Sequence, residues 1–111
     1  MSIRPIPKKL LIHSVEYREF IEDQRWGSSF ADPIPVTFVR VEPATSMNRD
    51  TSKEEVVARS VLYIDRTHSK PFVQPKEKDR VVFQGEEYEV HKVDIHYAFG
   101  PRIHHLEVEL V

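Results

Sequence analysis

Residues 76–111 read KEKDRVVFQGEEYEVHKVDIHYAFGPRIHHLEVELV, and this stretch decides the fold. A charged lead-in gives way to an apolar run, 80–84, with Val81 and Phe83 on one face. Gln84-Gly85-Glu86 follows, and a glycine supplies the positive φ that a tight hairpin connection needs. In the next strand Tyr88 and Val90 share a face, but the apolar series resumes at Val93, Ile95 and Tyr97. That change of parity predicts a β-bulge near His91-Lys92, a device that bends barrel strands. After Gly100-Pro101 a last strand alternates, with Leu106, Val108 and Leu110 inward and Glu107 and Glu109 outward.

Working back toward the start, the period of two recurs. Over residues 10–21, Leu11, His13, Val15 and Tyr17 fall on one side and Ser14, Glu16 and Arg18 on the other. The alternation fails at Phe20-Ile21, where the strand ends or twists. Residues 36–41, VTFVRV, and 56–64, VVARSVLYI, are β-branched and aromatic and read as strands. Ser52-x-x-Glu55 is a capping-box pattern, so a short helix starting at 53 is the alternative there. Residues 1–9, with Pro5 and Pro7, read as an extended arm. Polar, proline-bearing stretches at 22–35, 42–55 and 65–79 read as loops.

Six strand candidates and at most one short helix give an all-β fold. In 111 residues, one domain is expected over 1–111: a small β-barrel or strongly curved sandwich with long inter-strand loops. Closing the sheet buries one face and protects the edges. A domain of this size buries roughly two-thirds of its unfolded surface.

Composition excludes several kinds of chemistry. With 16 basic and 18 acidic residues, the chain lacks the basic excess of a dedicated nucleic-acid binder. The absence of cysteine removes disulfides, thiolate zinc sites and thiol nucleophiles. Leu10-Leu11-Ile12 is too short for a signal-peptide core or a membrane span, so a cytosolic chain with no membrane partner is expected. Three glycines cannot build a phosphate cradle, and no nucleophile elbow is present. Of six histidines, His96 lies two residues from Asp94 on one strand face, a pair that could begin a metal or acid–base site. Two ligands do not make a site, and His104 and His105 should point to opposite strand faces. No catalytic residue, metal ligand or cofactor is therefore expected.

The pattern Asp79-x-Val81-x-Phe83-x-Gly85-x-x-Tyr88-x-Val90, with the terminal strand, resembles the C-terminal hairpin unit of phage minor capsid or head–tail connector proteins of the head-completion, stopper type. The resemblance implies a virion assembly protein and not an enzyme. Such a subunit is a β-barrel that joins a homo-oligomeric ring at the head–tail junction and can be a monomer when free, a state the sequence leaves open. It closes the DNA-filled head and docks the tail, after assembly in the host cytoplasm. Implied partners are the portal or adaptor ring and tail-completion or tail proteins, with transient contact to packaged DNA. By position, the flexible 42–55 loop would face the channel through Thr45, Met47, Asn48, Arg49 and Asp50. Trp26, Phe30, Lys70, Phe72 and Lys76 are candidate subunit or partner contacts. The alternatives are a tail-completion or terminator protein of the same neck, or a small β-barrel module that binds nucleic acid or protein.

Overall fold

The computed structural model describes residues 4–23, 25, 27–44 and 59–111. Six strands close into a barrel in the order β1-β4-β5-β8-β7-β6, and β2 and β3 form a separate two-stranded sheet. The barrel strands are β1 (His13–Arg18), β4 (Ile34–Pro43), β5 (Ser60–Asp65), β6 (Arg80–Phe83), β7 (Glu86–Tyr97) and β8 (Ile103–Leu110). The small sheet is β2 (Phe20–Asp23) with β3 (Gly27–Phe30). All pairings are antiparallel, and β1 closes the cylinder by pairing with both β4 and β6.

The expected all-β barrel is present, and its interior follows the period-two pattern. Val15 and Tyr17 from β1, Val36, Val39 and Val41 from β4, and Leu62 and Ile64 from β5 point inward. Val81, Tyr88, Val90, Leu106, Val108 and Leu110 complete the core from the other wall. Burying apolar area at about 25 cal/mol per Å² is the main force holding the cylinder closed. Among the described residues, no buried side-chain polar atom lacks a hydrogen-bond partner.

The β6–β7 connection is a two-residue turn in which Gln84 has φ 52° and Gly85 φ 81°. Both central residues are left-handed, as a type I′ hairpin requires. The bulge expected near His91-Lys92 is present, as a register shift between Val90 and Lys92. A second irregularity falls on β1–β4: Val39 faces His13 while Thr37 faces Ser14, which leaves Phe38 unpaired at φ 57°.

Several boundaries differ from the sequence expectation. The loop expected at 22–35 holds the β2–β3 hairpin, turned at Gly27 with φ 87°. Both strands are short and largely exposed, so no apolar alternation marks them. The expected extended arm contains a single 3-10 turn, Lys8–Leu10. Strand β4 continues to Pro43, into the stretch expected to be loop. The 65–79 connection is pinned midway by a bridge in which Thr37 and Lys70 exchange both backbone hydrogen bonds. The helix alternative at 53 and the first residues of the 56–64 strand lie outside the described residues.

Candidate functional site

Two buried aspartates fix the loops that frame the barrel. Asp79 is fully buried and accepts hydrogen bonds from the Tyr17 hydroxyl (2.6 Å), the Phe20 N–H (2.8 Å) and the Lys76 N–H (2.8 Å). The Lys76 ammonium adds a contact at 3.1 Å. Burial works against the carboxylate charge, but the Phe20, Tyr17 and Lys76 hydrogen bonds outweigh it and hold Asp79 below the usual carboxylate range. The Tyr17 hydroxyl is pushed the other way, by burial first and then by its bond to Asp79. Asp65, also fully buried, accepts from the N–H groups of Ile6, Thr67 and His68. It thereby ties the N-terminal segment to the turn after β5.

These contacts redistribute the side chains singled out as partner contacts. Lys76 is held by Asp79 and by Glu19 at 3.2 Å, with the Phe20 carbonyl at 3.3 Å. Arg80 pairs with Glu89 at 2.9 Å and Glu87 at 3.5 Å. Two of the four basic side chains in 70–80, Lys76 and Arg80, are thus answered by acids of the same chain. Phe72 packs against the barrel core beneath the Arg66 guanidinium, 4.9 Å from its ring. Phe30 stands edge-on to Phe20 at 5.5 Å, with the Arg80 guanidinium 4.9 Å from its ring. It therefore fastens the β2–β3 hairpin to the β1–β6 wall. Lys70 keeps an exposed side chain beside its backbone bridge to Thr37. Trp26 and the expected channel-facing residues Thr45, Met47, Asn48, Arg49 and Asp50 lie outside the described residues.

The apolar surface left free is elsewhere. Beyond its bulge, β7 outruns β6 and pairs with β8 alone. Val93 and Ile95 still face the side of Val108 and Leu106, as the sequence pattern required. Past the end of β6, however, the barrel no longer covers that side fully. Ile95, Tyr97 and Phe99 are exposed, Phe99 to 60%. A second exposed apolar set, Leu10, Ile12 and Phe38, lies on the entry to β1 and on the β4 bulge. The sequence marks Ile95, Tyr97, Leu10 and Ile12 as apolar but not as exposed, because alternation reports which face a residue takes and not how far the opposing wall extends.

The histidines also differ from expectation. Asp94 does not join His96; it lies 3.6 Å from the Lys92 ammonium, while His96 pairs across the strands with His105. His104 and His105 start on opposite faces of β8, yet their Nδ1 atoms meet at 2.9 Å. Alternation constrains where a side chain leaves the strand, and two torsions then let an imidazole swing back toward its neighbour.

No helix among the described residues is long and apolar enough to cross a membrane. Neither the curated proteins nor the solved structures searched give a match. The family model of the minor capsid proteins matches residues 7–110. That span runs from the segment before β1 to the end of β8 and includes every strand of the barrel. The chain belongs to the phage minor capsid protein family, and its role is that of a structural protein of the virion.

Proposed function

We infer that this minor capsid protein is a ring subunit of the head–tail neck, closing the filled head and offering a surface to the tail. The observation that carries this reading is the uncovered apolar end of the β7–β8 hairpin, Ile95, Tyr97 and Phe99, on a closed barrel. Large apolar side chains left in water beside a closed core favour an interface. A ring needs two different patches per subunit, each meeting the other on a neighbour. The Leu10, Ile12 and Phe38 set supplies a second patch on other elements of the fold. The occupant of the hairpin end is accordingly a second copy of this chain. Portal or adaptor and tail proteins then contact the two faces of the assembled ring. Residues 45–58 lie outside the described residues, and the neck assignment does not depend on them.

Binding of nucleic acid as a main function has less support. Of the cations Lys70, Lys76, Lys78 and Arg80, Lys76 and Arg80 are engaged by Glu19, Asp79, Glu87 and Glu89. A phosphate-binding surface needs free cations.

The test is affinity capture of the tagged protein from an induced culture of its source, read by mass spectrometry, beside electron microscopy of the particles. Recovery of portal, adaptor or tail proteins and density for this barrel at the neck would support the assignment. Density on the capsid shell instead would place the protein elsewhere in the virion. Recovery of nucleic acid that washes off with salt would favour the binding-module reading.

A further inference from the structure

We propose that His96, His105 and Glu107 form a binding site for a divalent transition metal of the zinc class on the outer face of the β7–β8 hairpin. The site goes beyond the assembly role and stands on different residues from the apolar contacts. His96 lies opposite His105 in the ladder, and Glu107 follows two residues after His105 on the same face of β8. The Glu107 carboxylate oxygen is 3.1 Å from His105 Nε2 and 3.3 Å from His96 Nε2. All three donor atoms fall within 4.8 Å of one another.

The spacing suits a metal. Bonds of about 2.0–2.2 Å in a tetrahedral shell put neighbouring ligand atoms about 3.3–3.6 Å apart. Two of the three edges already lie close to that value. The third closes by rotation of the exposed His96 ring, now stacked on His105 with centroids 4.6 Å apart. Two imidazoles and one carboxylate are borderline-soft donors that suit zinc and its neighbours. Calcium and magnesium prefer shells built from oxygen. The fourth position faces solvent.

Hydrogen bonding behind the cluster is compatible with a ligating His105. His104 Nε2 is in contact with the Arg4 carbonyl oxygen, which can only accept. That nitrogen must therefore carry a proton. His104 Nδ1 sits 2.9 Å from His105 Nδ1, and which of the two carries the proton depends on the tautomer. With the proton on His105 Nδ1, its Nε2 lone pair faces the Glu107 carboxylate, the tautomer that a metal ligand requires. The arrangement resembles the outer hydrogen bonds that set the tautomer of a metal-ligating histidine. His105 is also the least exposed member, with 17% of its side chain accessible, and so the best positioned to act as the fixed ligand.

The test is titration of ZnCl2 into tag-free protein in a non-coordinating buffer, followed by calorimetry and thermal melting. CoCl2 serves as a spectroscopic probe of coordination. The expected result is saturable binding of one ion per chain, a rise in melting temperature reversed by chelator, and visible cobalt bands typical of four-coordination. His96→Ala, His105→Ala and Glu107→Gln should each weaken binding by roughly tenfold or more. His91→Ala should leave it unchanged. The exposed His96 makes its variant the one least exposed to folding defects, and circular dichroism checks each variant. Absence of saturable zinc binding by the folded wild-type chain would overturn the site. Binding that survives His96→Ala and Glu107→Gln unchanged would overturn it equally.

Discussion

Residues Glu86–Glu89 of β7 pair with β6, and Val90 is held on both sides, by the Lys78 and Asp79 backbone and by Leu110. Residues Val93–Tyr97 of the same strand pair with β8 alone and leave part of their inner face uncovered. Both halves are apolar on the side facing the barrel, so sequence hydrophobicity does not separate them. The opposing wall does. One half belongs to the closed core, and the other carries apolar area that the chain itself leaves exposed. A single bulge between Val90 and Lys92 marks the border.

The strongest way to test that contrast is to hollow out the closed half. Leu110, fully buried opposite Val90, should cost about 2–5 kcal/mol as Leu110→Ala, measured by urea unfolding. Next comes Asp79, which fastens the approach to β6. Asp79→Asn leaves the donors Phe20, Tyr17 and Lys76 facing an amide, a loss of about 1–3 kcal/mol near neutral pH. Because folding lowers the Asp79 pKa, its contribution is complete above the unfolded value of about 3.9 and fades as pH falls through the lower folded value. Melts of wild type and variant should therefore converge in acid, below about pH 4. If the gap between them stayed constant there, Asp79 would not act through its charge. At the turn that opens the closed half, Gly85→Ala places a Cβ at φ 81° and should cost about 1–2 kcal/mol, although no atom crowds the site.

The smallest effect is expected in the open half. Ile95→Ser with Tyr97→Ser should change the free chain by only about 0.5 kcal/mol per site, while on the neck reading proposed above particles built with the variant should fail to complete their necks. Assembly counted by electron microscopy, beside urea melts of the same variant, separates the two roles. A large loss of stability in the isolated chain would mean that this half already belongs to the core.

What could be read in the sequence follows from the same physics. Leu106, Val108 and Leu110 against Glu107 and Glu109 announced a half-buried strand, and the slipped parity after Val90 announced the bulge. The β2–β3 hairpin gave no such signal, since neither of its faces is buried and only Gly27 marks its turn. Asp79 sits in the run KEKDR, which looks solvated; only the fold brings Tyr17 and Phe20 over it. Likewise His96 was visible beside Asp94, but its true partners belong to β8. Cross-strand register, offset by the bulge, decides that neighbourhood, and no local pattern encodes it.

One feature of the topology also bears on kinetics. Strands β6, β7 and β8 form consecutive hairpins, whereas β1 must pair with β4 on one side and β6 on the other. That second seam joins segments far apart in the chain, Glu16 to Val82. Closing so long a loop costs entropy before any contact rewards it, so folding should fall in the slow range of non-local β topologies, about milliseconds to seconds. Until β1 docks, the meander presents an open strand edge on β6. A second copy of the chain that met it at that stage would find an edge open to pairing in place of β1.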